Sequence, residues 1–266
     1  NLLGNTTETK IEKGILDRGY PLLQFAILFA TSMSLASVPA LSTAYRKHEQ
    51  QMMRQQLETL LRSGLLIAAA ATIGLMGVMR PLNIALYQND EGTVGLIWLA
   101  ATAFAASIAM MIVSCLQSVD AEKYALVGVL IGLGAKLALN LYFIPRYGMI
   151  GAGMATFGGF AVMAAAQWIL LNRKFGRVSA GNAFYRRLVL PVLTMGVFLY
   201  LIETFFQLFE LETRIGAALE VGVLVVGGAI IYGSMALRVR ALSEQEWALL
   251  PLGDKLYQMY QRRRSI

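Results

Sequence analysis

A single cysteine, Cys115, and a single histidine, His48, are all the thiol and imidazole chemistry in this 266-residue chain. One thiol excludes an internal disulfide and a CxxC metal site, and it leaves the redox compartment unread. One imidazole excludes an HExxH zinc site, no GxSxG elbow occurs, and no acidic cluster suited to a metal stands out. The chain is therefore expected to be no enzyme and to use no cofactor and no metal. Cys115 reads instead as a small packing residue within an apolar run, and His48 as a surface residue of a basic loop. Charge is scarce as well: Asp, Glu, Lys and Arg make up 15% of the chain, against about 25% in an ordinary soluble domain.

What fills the sequence is apolar, 57% of its residues, gathered into seven stretches. A helical membrane span needs about 20 consecutive apolar residues, and spans are expected near 21–45, 63–87, 94–117, 124–144, 149–171, 188–208 and 215–237. The runs are continuous and rich in Leu, Ala, Gly and Met. They lack the alternating segments of a lipid-facing β-barrel, which leaves helices. The fold class is all-α, a polytopic helical membrane protein. Residues 1–20 are polar, lack the apolar core of a signal peptide and start at Asn1 rather than Met. They are expected to form an external segment leading into the first span of an N-terminally truncated or excised piece.

The net charge of +7 would suggest nucleic acid in a soluble protein, but the cations fall between spans and report topology, so no nucleic-acid partner is expected. Arg46, Lys47, Arg54 and Arg62 follow the first span, and Arg173, Lys174, Arg177, Arg186 and Arg187 follow the fifth. The loop 88–93 has no cation, and the loops after spans four and six hold one each, Arg146 and Arg214. The positive-inside rule then places the first set of loops, and the basic tail beyond Leu237, in the cytoplasm, with Asn1 outside. Ser243-Glu-Gln-Glu246 has capping-box spacing, and the residues after it suggest a short interfacial helix broken near Pro251-Leu-Gly253 that anchors to anionic lipid.

Charges within spans are costly and usually face a cavity or a partner. Four places qualify: Asp17-Arg18 before the first span, Arg80-Pro81 in the second, Lys136 with Asn140 in the fourth, and Glu203 with Glu220 in the sixth and seventh. Periodicity alone favours mutual pairing of Asp17 and Arg18 at the interface; the alternative is that Arg18 faces a cavity and binds phosphate through its guanidinium fork. Lys136 is too deep to snorkel easily, and Asn140 is one turn on along the same face, which suggests a cavity-lining stripe or a hydrogen bond to a neighbouring helix. Arg80 is expected to snorkel, and the two glutamates to be interfacial. Gly128 and Gly132 form a GxxxG, and Gly148, Gly151, Gly153, Gly158 and Gly159 crowd the start of the next span, as close helix contact requires.

The junction of the fourth and fifth stretches, Ala138-Leu-Asn-Leu-Tyr-Phe-Ile-Pro-Arg-Tyr-Gly-Met-Ile-Gly-Ala-Gly-Met-Ala-Thr156, resembles the polysaccharide-export and oligosaccharide-flippase group of the MATE-like superfamily. Gly14-Ile-Leu-Asp-Arg-Gly-Tyr-Pro-Leu-Leu-Gln24, with Ser34-Leu-Ala-Ser-Val-Pro-Ala-Leu-Ser42 after it, is similar to the Asp-Arg segment and following helix of the MurJ and stage V sporulation protein B branch. The resemblance covers essentially the whole chain. It implies the eighth to fourteenth helices of a two-lobed fourteen-helix bundle: five spans of the second lobe in 21–172, a basic cytoplasmic loop at 173–187, two extra C-terminal spans in 188–237 and a cytoplasmic amphipathic tail at 238–266. The first lobe would then belong to the same protein, outside this chain.

The same resemblance implies a flippase of the bacterial cytoplasmic membrane. Its partners would be membrane lipids and its substrate an undecaprenyl-pyrophosphate-linked oligosaccharide, lipid II or a related wall, spore-cortex or capsular precursor. Arg18 matches the branch's cavity arginine, which implies pyrophosphate binding, with Asp17 orienting it. Gln24 falls in the matching segment and joins Lys136 and Asn140 as a candidate cavity-lining residue. Two other readings stand beside it. A MATE-type cation-coupled drug exporter would want a carboxylate deep in a lobe, whereas the candidates here are mostly cations; a non-transporting scaffold of a cell-envelope complex predicts that Arg18 is dispensable.

Overall fold

A computed structural model of the protein describes residues 7–208, 213–243 and 246–247, without the side chains of 7–12, 29–30 and 33–37. Among these residues all the regular structure is helical: α1 (Thr7–Arg46), α2 (Gln50–Tyr87), α3 (Thr93–Ser118), α4 (Glu122–Phe175), α5 (Asn182–Leu208) and α6 (Arg214–Arg238). Five of them, α2 to α6, are long and apolar enough to cross a membrane. The fourth is two helices joined at Gly148, whose φ of 53° and ψ of −129° are non-helical. With its two arms counted separately, the seven expected spans each fall within one helical segment. The helices run past them, since α1 starts at Thr7 and carries Asp17, Arg18 and Pro21 inside it.

The reversal in α4 follows from its sequence. Pro145 lacks an N–H and Gly148 tolerates a positive φ, so the chain folds back on itself there. The arms then lie antiparallel with backbones in close approach: a side chain at Gly128 would strike Gln167, one at Gly132 would strike Met163, and one at Gly159 would meet Lys136. The GxxxG pair serves the contact between these two arms.

α2 is the hub, packing on α1, α3, α5 and α6, while the α4 hairpin packs chiefly on α3. Buried residues of α2 recur at three- and four-residue intervals, Leu57, Leu60, Leu61, Leu65, Ala68 and Ala69, so one stripe is buried, and its earlier and later turns serve two different cores. One joins Leu41, Leu57, Ile112 and Leu171 from α1 to α4. The other joins Leu66, Leu199, Leu224 and Trp247 from α2, α5, α6 and the tail. Tyr232 of α6, buried in the second core, donates its hydroxyl to the Leu66 carbonyl at 2.7 Å. The outward faces of α5, α6 and the first arm of α4 are lined with exposed Leu, Val and Ile, as lipid-facing surfaces are.

Helix alternation gathers Arg46, Lys47, Arg173, Lys174, Arg186, Arg187 and Arg238 at one end of the bundle, the basic end. Arg18, Arg80, Arg146 and Arg214 belong to the opposite end. At the basic end the capping box at Ser243 is formed: the Ser243 N–H donates to Glu246 Oε2 at 2.7 Å and the Glu246 N–H to Ser243 Oγ at 3.4 Å. Trp247 is 4% exposed, so this part of the tail is packed into the protein rather than laid on a lipid surface. The stretch from 248, including Pro251-Leu-Gly253, lies outside the described residues.

Candidate functional site

Because α1 and α2 run antiparallel, the early turns of α1 meet the last turn of α2. Arg18, half-buried, stacks there on Tyr87, its guanidinium carbon 4.1 Å from the ring centroid. Tyr87 is the last residue of α2, which ends as Gln88 turns left-handed and bonds back to the Ile84 carbonyl at 2.9 Å. Arg18 Nη1 is buried with no hydrogen-bond partner. A guanidinium over a ring face keeps its N–H donors for other partners, and its fork is suited to two anionic oxygens. Asp17 is exposed and shows no ion pair with Arg18 among the described residues, since neighbours on a helix diverge.

A second set of polar groups closes the same end. Arg80 Nη2 reaches Asp90 in the α2–α3 loop at 3.7 Å, and Glu203 of α5 lies within electrostatic range of Arg80. Asn83, buried in α2, donates to the Glu91 carbonyl at 3.1 Å, and Arg214 donates to the Ala85 carbonyl at 3.2 Å. These contacts fasten the end of α2 that carries Tyr87. Glu220, in the second turn of α6, is buried.

From this polar end an apolar groove of about 640 Å³ extends toward the basic end. Leu22, Phe25 and Ala26 of α1 form one wall, Gly74, Leu75 and Val78 of α2 the floor, and Val225, Ala229 and Tyr232 of α6 the other wall, with Trp247 at the far limit. Arg18, Leu22 and Phe25 follow one another at four- and three-residue spacing, which puts them on one face of α1. One helix face thus presents a cation and then an apolar trough.

The structure does not bring the other sequence candidates to this place. Gln24 is exposed and absent from the groove lining. Lys136 and Asn140 are half-buried in the first arm of α4, Lys136 against Gly159 of the second arm, and neither lines the groove. Tyr87 and the groove walls went unrecognised in the sequence. An aromatic residue at the end of a span was the available signal for Tyr87; none existed for a groove made by three helices distant in the chain. Among the described residues no three His, Cys, Asp or Glu side chains stand together as a metal site.

The family model described as Lipid II flippase MurJ matches residues 20–215. "Uncharacterized membrane protein YabM" of Bacillus subtilis (strain 168) is 31% identical over 257 residues, 96% of this chain and 48% of that protein. "Lipid II flippase MurJ" of the same organism is 23% identical over 160 residues, 58% of this chain and 29% of that protein. The chain spans less than half the length of either relative.

Proposed function

The chain belongs to the lipid II flippase MurJ family, and from that premise we propose that the protein carrying it moves an undecaprenyl-pyrophosphate-linked oligosaccharide, lipid II or a related precursor, across the bacterial cytoplasmic membrane. The single observation that supports this most is that Arg18, stacked on Tyr87, stands on the same face of α1 as Leu22 and Phe25, which line the apolar groove. The substrate has the same two parts, a doubly charged anion and a long apolar chain. A guanidinium that is half-buried, stacked and short of one acceptor is suited to the pyrophosphate. The trough beyond it is suited to the first isoprene units, which gain by leaving water or headgroups.

A pyrophosphate and sugars cannot cross hydrocarbon cheaply, so the carrier must offer a wet, cationic path while the prenyl tail stays in an apolar one. Alternating access by rocking of this half against the lobe supplied by the rest of the protein fits that need. Charge asymmetry between the two ends supports a cytoplasmic basic end and C-terminus, which puts Arg18 toward the outer leaflet. Asp17 would act on the field around Arg18 without touching it; Gln24, Lys136 and Asn140 would line the path only where the two halves meet.

The test is complementation in cells depleted of their lipid II flippase, using the full-length gene. The native gene and Arg18→Lys are expected to rescue, the second weakly because an ammonium lacks the fork, and a well-expressed Arg18→Ala is expected to fail. Rescue by Arg18→Ala would sink the role given to Arg18. Failure of the native gene would move the substrate to another lipid-linked glycan, or the protein to a scaffold.

A further inference from the structure

At the basic end, away from the groove, a separate cavity of about 720 Å³ lies between the α1–α2 turn, the start of α2 and the end of α4. Its size falls within the range of small-ligand sites. Lys174, Arg54 and His48 line it, against one carboxylate, Glu49. Arg54 Nε bonds Glu58 at 3.2 Å in an exposed pair; such a pair is weak, and a guanidinium has further donors to offer. Lys174 has no ion pair among the described residues, and its ammonium stands 5.4 Å from the Phe175 ring centroid and 5.5 Å from that of Tyr124. Tyr45 and Phe175, in edge-to-face contact with centroids 6.5 Å apart, supply an apolar wall next to those cations.

We propose that this cavity binds a phosphate monoester or diester group, presented by an anionic phospholipid of the adjoining leaflet. Three features select that chemistry. The lining cations outnumber the lining carboxylate; the aromatic wall accepts glycerol and the first acyl carbons; and the position at the end of membrane-spanning helices holds a headgroup at its own depth. The inference stands apart from the transport reading, because no residue of the cavity belongs to the Arg18 face.

The experiment uses the full-length protein reconstituted in nanodiscs of phosphatidylcholine alone or of equal parts phosphatidylcholine and phosphatidylglycerol. After extraction and exhaustive detergent washing, the phosphatidylglycerol retained per protein is measured by mass spectrometry. Native protein is expected to keep it, and Lys174→Ala with Arg54→Ala to lower it about fivefold or more. Lys174→Arg with Arg54→Lys preserves the charges and is expected to restore retention, separating recognition from folding. Displacement by millimolar inorganic phosphate would show that the phosphate group alone suffices, and resistance to it that the lipid is the ligand; both support the site. Equal retention by native protein and the alanine variant overturns it, as does absence of retained phosphatidylglycerol from native protein.

Discussion

At the scale of single residues, the cation at position 18 was legible and its partner was not. Charge before an apolar run marked Arg18, but Tyr87 is reached only because α1 and α2 pair antiparallel. Tyr87→Phe keeps the ring face and is expected to preserve binding of a fluorescent lipid II analogue by the full-length protein. Tyr87→Leu loses an interaction of about 0.5–2 kcal/mol, a weakening of about twofold to thirtyfold in the same titration. Equal affinity of the leucine and phenylalanine variants would show that the ring does not hold the guanidinium in its working position. Lys136 illustrates the converse: its depth made it prominent in the sequence, yet its neighbour in the fold is Gly159 of its own hairpin.

At the scale of elements, hydropathy placed the helices well because lipid contact demands long apolar helices whichever way they later pack. It did not show where α1 begins, since residues 7–20 continue the helix in polar sequence. The turn within α4 is the most demanding local feature. With Gly148 at φ 53° and ψ −129°, Gly148→Ala is expected to cost about 1–3 kcal/mol and lower the unfolding midpoint of the full-length protein in detergent. Gly134→Ala, where an added Cβ meets nothing within 4 Å, serves as its control and is expected to leave the midpoint unchanged or raise it slightly. A common response of both variants would show that the hairpin does not depend on that backbone conformation.

At the scale of the whole molecule, Arg62 joins three parts of the chain. From α2 it donates to the Ala180 carbonyl at 2.9 Å and pairs with Glu246 at 3.3 Å, while Arg187 of α5 donates to the Arg240 carbonyl at 2.9 Å. The tail segment around Trp247 is therefore held against α2, α5 and α6 instead of hanging from α6. Arg62→Ala removes a charged bond to a carboxylate that is 6% exposed, a loss of roughly 1.5–3 kcal/mol. It is expected to speed proteolytic trimming of the C-terminal tail while the helical bundle stays resistant. Unchanged trimming would mean that packing of Trp247 alone secures the tail.

The sequence by itself determined that this is an all-α membrane protein, that its cations crowd one end, and that its family is the lipid II flippase MurJ family. These are properties of composition, period and local motif, and the bilayer enforces them one segment at a time. Only the tertiary structure decided which polar groups share a place. Stacking of Arg18 on Tyr87, the groove between α1, α2 and α6, and the cation-lined cavity at the basic end all join residues far apart in the chain. The physical reason is that hydropathy tells each helix to leave water without specifying its neighbour. Partner choice comes from close packing of small and large side chains, which exists only once the helices have met.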